Sequence, residues 1–317
     1  MVTTALLHTG GFFTIRLFFA LNRAFAEFHY MSDSLRGVWY MAVATFLFAL
    51  MTMFVKLVPN IPSLEIIFFR AVISVVICWW GIKRARVPMF GNNKPMLVMR
   101  GIAGVIALTL NFYMVHEIPL ATASTLTYLA PISTTLIGIW FVKEKVAPLQ
   151  FLFFGVSFAG TLVIEGFDAR VSLFHLGVGI VTSIFMGIAY NCVRKLSTTE
   201  HPLVIIFYFP FVCLPITGLW CLLFWVQPEG WQWFHLLMVG ITSQIAQYYM
   251  TRAYQLAEIS TVSIVNYTGI IYAIILGYLM FGEGFNIMTY AGMGLVIAGV
   301  ILNVAWKQRQ KRNPDPA

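Results

Sequence analysis

Four polar side chains occupy one face of an apolar stretch between residues 232 and 253. Gln244, Gln247, Tyr248 and Thr251 are spaced i, i+3, i+4 and i+7, which places them on a single side of a helix. Amide and hydroxyl groups in such a stripe can hydrogen-bond a solute, or they can join neighbouring helices. We interpret the stripe as one wall of a substrate-binding site.

Three further apolar stretches contribute hydrogen-bonding groups of the same kind. They are Tyr190 and Asn191 within 173–193, Thr125 and Tyr128 within 120–142, and Asn266 and Tyr267 within 260–281. Because a polar side chain facing lipid is costly, we expect these groups to face a cavity or another helix. The sequence therefore predicts that they contact the same substrate.

Arg70 lies about eight residues into another apolar stretch, deep enough to need a partner or a water-filled cavity. Two partners are open: an anionic group of a substrate, or helix carbonyls together with Glu65. Arg100 and Arg252 lie near the ends of their stretches, where the bias of positive charge towards the cytoplasm already accounts for them. For Arg252 we therefore predict a gating or structural role.

Charged residues also recur at the ends of the apolar stretches. Lys56 and Lys195 are predicted to be gating or structural residues, with simple extension to the membrane interface as the alternative. Glu144 and Glu283 fall just past helix ends, where capping or a pair with Lys143 or Lys145 is a sufficient role. We favour that role over proton coupling.

The sequence offers little for catalysis or metal binding. Its four cysteines lie inside apolar stretches and do not have the spacing of metal ligands. None of its three aspartates lies inside an apolar stretch. There is no phosphate-binding loop of the GxxxxGK[ST] type. We predict no cofactor, no metal site and no enzymatic activity.

The composition identifies the environment of these residues. Of the 317 residues, 60% are hydrophobic and only 10% are charged, which is typical of an integral membrane protein. The net charge of +8 comes from short clusters between apolar stretches, so it does not indicate nucleic-acid binding. Ten stretches are long enough to cross a bilayer as helices. They are 37–58, 62–82, 95–115, 120–142, 147–165, 173–193, 202–226, 232–253, 260–281 and 286–306.

Lys and Arg cluster on one side of this all-α arrangement, which predicts that both termini are cytoplasmic. The segment 1–36 precedes the first helix, and 307–317 forms a basic cytoplasmic tail. Residues 1–30 have three interpretations: an interfacial helix, a targeting leader, or residues upstream of the native start at Met31. The single Asn-x-Thr sequon lies inside a span and favours a bacterial inner membrane.

The chain contains a duplication. Adding 139 to the residues of 120–144 gives a second copy at 259–283, in which Tyr128 and Glu144 recur as Tyr267 and Glu283. The offset extends over two halves, 37–165 and 173–306, each with five predicted helices. Because five is odd, the halves must cross the membrane in opposite directions. Such inverted repeats are typical of secondary transporters.

The polar stripes are not duplicated, although the halves are. The offset maps the stripe of 244–251 onto a face that includes Phe112, and the stripe of 173–193 onto a face that includes Phe48. One wall is therefore polar and the other apolar. This pattern favours a small amphipathic organic substrate, with Phe48 and Phe112 on its apolar side.

Several motifs resemble the drug/metabolite transporter superfamily, in particular its EamA-type members. They are the FFRA run at 68–71, Tyr128 and Pro131 followed by Glu144, and Arg252-Ala253-Tyr254 followed by Tyr267 and Phe281-Gly282-Glu283. The resemblance implies ten helices in two halves and the movement of small metabolites, often outward. The sequence departs from its own second copy where Val142-Lys143-Glu144 replaces Phe281-Gly282-Glu283.

We therefore predict a secondary transporter, exporting or exchanging a small metabolite such as an amino acid or a derivative. A membrane-embedded enzyme and a lipid flippase or scaffold are the alternatives. The expected partners are the lipid bilayer and the small-molecule substrate. A homodimer is also possible through the Gly155-xxx-Ala159 and Gly294-xxx-Ala298 faces, because small residues let helices approach closely.

Overall fold

The computed structural model describes residues 33–127, 129–141, 148–168, 170–196, 199–256, 265 and 268–312. Within those ranges the chain forms eleven helices and no strand. They are α1 (Asp33–Lys56), α2 (Ser63–Ala85), α3 (Lys94–Glu117), α4 (Leu120–Thr127), α5 (Ala130–Phe141), α6 (Pro148–Phe167), α7 (Leu173–Leu196), α8 (Pro202–Phe224), α9 (Gln232–Leu256), α10 (Thr268–Phe281) and α11 (Ile287–Arg312).

Side-chain caps and one glycine set several helix ends. Asn93, His201 and Asn286 each accept a hydrogen bond from a backbone amide in the first turn of α3, α8 and α11. These bonds satisfy donors that a helix start leaves without partners. After α10, Gly282 has φ +63°, a left-handed conformation that glycine adopts without steric cost.

Six helical segments are long and apolar enough to cross a membrane, by length and composition. They are Leu35–Lys56, Ser63–Ala85, Lys94–Glu117, Leu120–Phe141, Leu173–Leu196 and Pro202–Phe224. Large apolar side chains also face outward, including Trp140 at 82% exposure and Leu222 at 84%. Apolar surface of this extent needs lipid rather than water. The chain is thus an all-helical, multi-pass membrane protein.

Helices occupy all ten stretches predicted from the sequence, with three differences. The stretch 120–142 is divided, since α4 ends at Thr127 and α5 begins at Ala130. The first helix begins at Asp33, inside the segment 1–36, and α11 continues to Arg312, inside the predicted tail. The questions about residues 1–30 lie outside the described residues. The number of membrane crossings stays a prediction.

Helix packing follows the duplication. With the offset of 139, α1, α2 and α3 correspond to α7, α8 and α9, and α6 corresponds to α11. Helix α1 packs on α9 as its counterpart α7 packs on α3, while α2 packs on α8 and α6 on α11. The packing therefore survives exchange of the two halves, which defines a pseudo-two-fold relation between them.

Close approaches between helices obey the same exchange. A Cβ on Gly101 would lie 2.7 Å from Val212 Cβ, and a Cβ on Gly240 would lie 2.8 Å from Ile73 Cβ. Gly101 and Gly240 are equivalent under the offset, as are Ile73 and Val212. Glycine at both positions lets α3 approach α8 and lets α9 approach α2 at equal depth.

Helices α6 and α11 form the tightest of these contacts. A Cβ on Gly160 would lie 2.7 Å from the Gly292 carbonyl oxygen, and one on Gly299 would lie 2.6 Å from the Phe153 carbonyl oxygen. Gly155 and Gly294, which the sequence also offered for close packing, have nothing within 4 Å of such a Cβ. Among the described residues nothing covers these two glycines, so the contact between α6 and α11 uses Gly160, Gly292 and Gly299.

Candidate functional site

A cavity of about 200 Å³ lies between the two halves. Its walls come from α1, α2, α3 and α4 in the first half and from α7, α8, α9 and α10 in the second, of which α7, α8 and α9 are the counterparts of α1, α2 and α3. Helices α6 and α11 pack on each other outside it. The lining residues are Thr45, Phe48, Ala49, Met51, Thr52, Arg70, Gly104, Ala107, Leu108, Asn111, Ser124, Thr127, Met186, Ala189, Tyr190, Phe209, Gln247, Met250 and Gly269.

The cavity contains both members of several duplicated positions, and each such pair combines a polar with an apolar side chain. These pairs are Arg70 with Phe209, Leu108 with Gln247, Asn111 with Met250, and Met51 with Tyr190. Arg70 also contacts its own counterpart, since its Cζ lies 4.9 Å from the centroid of the Phe209 ring. The cavity therefore straddles the pseudo-two-fold axis, and its chemistry is asymmetric although its frame is symmetric.

The polar stripe on α9 does not face the cavity as a unit. Gln247 lines the cavity, whereas Gln244 is buried and donates a hydrogen bond from Nε2 to Cys78 Sγ at 3.0 Å. Tyr248, Thr251 and Arg252 line a separate depression of about 150 Å³ against the start of α8. Helical spacing correctly placed these residues on one side of α9. That side, however, contacts the cavity, Cys78 of α2 and the separate depression.

The stripe on α7 divides in the same way. Tyr190 lines the cavity, while Asn191 donates hydrogen bonds from Nδ2 to the carbonyl oxygens of Thr134 and Gly187, each at 2.9 Å. About two turns earlier in α7, the hydroxyls of Ser183 and Ser133 are 2.8 Å apart. Asn191 and Ser183 thus join α7 to α5, whereas Tyr190 lines the cavity together with Met186 and Ala189 of the same helix.

The remaining predicted binding residues differ in placement. Phe48 lines the cavity, and Phe112 is fully buried in the apolar core. Thr125 is buried, and its hydroxyl donates to the Ala121 carbonyl of its own helix at 2.8 Å. Tyr128, Asn266 and Tyr267 lie outside the described residues, so their roles stay predictions.

Most of the lining residues were not among the predicted binding residues, and Asn111 and Thr127 are two of them. Asn111 donates a hydrogen bond from Nδ2 to Thr127 Oγ1 at 2.7 Å, which joins α3 to α4 at the cavity wall. Asn111 has no polar neighbour at helical spacing, so a search for stripes does not detect it. A lone amide inside an apolar helix was the available signal.

Lys56 and Glu283 connect three segments at one end of the helices. Lys56 Nζ lies 2.6 Å from Glu283 Oε1 and donates to the Ile118 carbonyl at 2.7 Å, while the Leu120 amide donates to Glu283 Oε2 at 2.8 Å. The two side chains are only 15% and 9% exposed, so Lys56 does not extend to the interface. Gly277 leaves the space that the Glu283 carboxylate occupies.

Under the offset, Lys56 is equivalent to Lys195 in the second half, and Glu283 is equivalent to Glu144 in the first half. Lys195 is exposed, with Nζ 5.5 Å from the centroid of the Phe141 ring. Glu144 lies outside the described residues. The link between Lys56 and Glu283 thus joins α1, the turn between α3 and α4, and the end of α10 at one face of the protein.

A multi-pass helical protein with two related halves around an internal cavity has the organisation of a membrane transport protein. Residues 35–166 and 174–305 each match the sequence pattern of the EamA-like transporter family. The chain belongs to that family, and it is a transporter rather than an enzyme.

Characterised relatives align over most of the chain. A pseudopaline exporter of Pseudomonas aeruginosa is 29% identical over 271 residues, covering 84% of this chain and 94% of the exporter. Solute carrier family 35 member G1 of Homo sapiens is 22% identical, covering 87% and 81%. A riboflavin transporter of Vibrio cholerae is 23% identical, covering 88% and 97%.

The fold also has a counterpart among solved crystal structures. One such structure superposes with a TM-score of 0.62, covering 89% of this chain and 98% of its own. The two sequences are 17% identical, so this similarity concerns the fold alone.

Proposed function

We propose that the protein is a secondary carrier that exports or exchanges a small amphipathic organic metabolite, such as an amino acid or a derivative, across a bacterial inner membrane. In this proposal ten crossings form two inverted halves, and both termini are cytoplasmic. The observation that carries the proposal is the central cavity, whose duplicated positions pair polar with apolar side chains. An organic solute with one polar and one apolar side matches that lining. The names of the relatives, which include an exporter and a riboflavin transporter, support an organic substrate.

Alternating access requires that one face closes while the other opens. We assign closure of the non-cytoplasmic face to Lys56 and Glu283, because their contacts tie together segments of both halves beyond the cavity. By pseudo-symmetry, Lys195 and Glu144 would close the cytoplasmic face in the opposite state. Rocking of the halves about the cavity then exposes the substrate to each side in turn.

The proposal predicts that removing single polar groups from the cavity slows transport without unfolding the protein. We expect Gln247→Ala and Tyr190→Phe each to lower the efflux of radiolabelled amino acids from preloaded proteoliposomes by about fivefold. That factor corresponds to the loss of one hydrogen bond, worth about 1 kcal/mol. The readout is the initial rate of efflux per molecule of reconstituted protein.

A matched control separates binding from general damage. Tyr278→Phe also removes one hydroxyl, but Tyr278 is 66% exposed on the outer surface of α10, so its efflux should equal that of the wild type. Normal efflux in both cavity variants would refute the cavity as the route. The absence of any saturable efflux would refute carriage and favour a flippase or scaffold.

A further inference from the structure

Two buried arginines lie against the same aromatic ring at the cavity wall. The Cζ atom of Arg70 is 4.9 Å from the centroid of the Phe209 ring, and that of Arg100 is 4.6 Å from the same centroid. Arg70 is 5% exposed and Arg100 is 6% exposed. Arg100 Nη1 lies 3.7 Å from the position of a Cβ on Gly104, which lines the cavity, so the guanidinium extends along α3 towards it.

Neither arginine has an anionic partner in the part of the chain that the structure describes. Nε and Nη1 of both are buried without a hydrogen-bond acceptor. Glu65, the alternative partner of Arg70 considered from the sequence, instead accepts a hydrogen bond from the Val226 amide at 3.0 Å. Other acids are engaged elsewhere: Asp33 with Arg36, Asp168 with Arg170, Glu283 with Lys56, and Glu200 with the amides of Asn92 and Asn93.

This arrangement is incomplete as it stands. A guanidinium remains protonated in proteins and presents five N–H donors, so burial leaves both a charge and several donors to be satisfied. The face of an aromatic ring offsets part of the charge but accepts few of the hydrogen bonds. Two like charges on one ring also repel each other. An oxyanion would supply the missing charge and the missing acceptors together.

The fold itself does not require these charges. The offset of 139 maps Arg70 onto Phe209 and Arg100 onto Val239, both of which are apolar. The second half builds the equivalent α8 and α9 without arginine at either place. The two guanidinium groups are therefore a feature of one half, and both lie against Phe209 at the wall of the cavity between the halves.

We propose that Arg70 and Arg100, together with Phe209, bind an anionic group of the substrate, a carboxylate or a phosphate. The apolar part of that substrate contacts the methionine and phenylalanine side chains of the opposite wall, including Met51 and Phe48. This proposal rests on the proposed function, because it concerns the solute that the same cavity carries. It specifies the substrate class as an organic anion or a zwitterion with a carboxylate or phosphate.

The test measures thermal unfolding of the purified full chain in neutral detergent. Sodium succinate and sodium phosphate are the anionic probes, while succinamide and sodium chloride at matched ionic strength are the neutral and salt controls. At roughly ten times its Kd, a bound anion should raise the Tm by about 2–4 °C. The relative shifts with succinate and phosphate identify the preferred oxyanion.

Variants assign the shift to the arginines. Arg70→Gln and Arg100→Gln should each abolish it, whereas Arg84→Gln should retain it, because Arg84 is exposed near the end of α2. If a glutamine variant fails to fold, Arg70→Met or Arg100→Met replaces it and retains more of the packing volume. No shift with either anion, or a shift that survives the loss of both arginines, would overturn the proposal.

The same variants distinguish this proposal from the proposed function. An arginine-dependent Tm shift without any amino-acid efflux would support the anion site and contradict the proposal that the protein transports amino acids. Efflux that is unchanged in both arginine variants would retain carriage and refute the anion site. Loss of efflux together with loss of the Tm shift supports both.

Discussion

At the scale of residues, Arg70 and Phe209 show how a duplicated frame acquires an asymmetric function. They occupy equivalent positions, yet one is a cation, the other is an aromatic ring, and they contact each other at the axis. A symmetric pair of arginines there would repel each other, and a symmetric pair of phenylalanines would bind no polar group. In the proposed function, divergence at this one position provides a polar group for the solute within a duplicated frame.

Lys56 and Glu283 allow a prediction at the same scale. Lys56→Met or Glu283→Gln leaves a poorly exposed partner without its counter-charge, so each should lower the free energy of unfolding by about 2 kcal/mol. The double variant should lose less than the two single losses together, with a coupling of about 1–3 kcal/mol. Reversible unfolding of the four proteins in mixed micelles measures this coupling.

The pair of Asp33 and Arg36, whose carboxylate is exposed, provides the comparison for that cycle. Asp33 has a 71% exposed side chain, so solvent screens the pair and little coupling is expected there. Equal coupling in the two cycles would contradict a special role for Lys56 and Glu283. Additive losses at Lys56 and Glu283 would show that the close contact contributes nothing to joining the segments.

At the scale of elements, hydropathy and the offset were sufficient to predict where the helices lie, but not how they end or which side meets the cavity. Apolar length marks a helix because a bilayer requires it, but it does not predict that α4 ends at Thr127 and that α5 begins at Ala130. Pro210 and Pro215 lie inside α8, so proline alone does not mark an interruption.

The candidate site was predictable to a similar extent. Spacing indicated the polar sides of α7 and α9, and Tyr190 and Gln247 of those sides line the cavity. Spacing could not separate Asn191, which joins α7 to α5, from Tyr190, which is its immediate neighbour. That distinction depends on which helix packs alongside, and helix packing is a tertiary property.

The contact between α6 and α11 gives a prediction at the element scale. Gly160→Val should force the two helices apart, because its Cβ would meet the backbone of α11. Overpacking of this kind costs about 1–3 kcal/mol. Gly155→Val, in the same helix with open space around its Cβ, should leave the free energy of unfolding nearly unchanged.

Unfolding in mixed micelles compares the two valine variants directly, because both replace glycine by valine in α6 and therefore change the helix propensity by the same amount. Equal stability of Gly160→Val and wild type would show that α6 and α11 do not require the close approach. If Gly155→Val instead lowered stability in proteoliposomes and also reduced dimer cross-linking, the open face at Gly155 would be a contact between two copies of the chain.

At the scale of the whole molecule, the packing shows that a pseudo-two-fold axis relates the two halves. The odd number of predicted helices per half determines how that axis is oriented relative to the membrane. With five crossings each, the second half begins on the opposite side from the first. The axis then lies in the membrane plane, and the cavity lies near the bilayer centre. Equivalent residues must therefore be accessible from opposite sides.

Asn60 and Thr199 test this inversion, because they are equivalent under the offset and both are exposed. With Asn60→Cys and Thr199→Cys, a membrane-impermeant maleimide added to intact cells should label only the first, and labelling of the second should require permeabilised cells. The native cysteines, Cys78, Cys192, Cys213 and Cys221, are all buried, so little background is expected. Labelling of both positions from the same side would mean that the halves run in parallel, and the cavity would then need a different mechanism of access from the rocking of inverted halves.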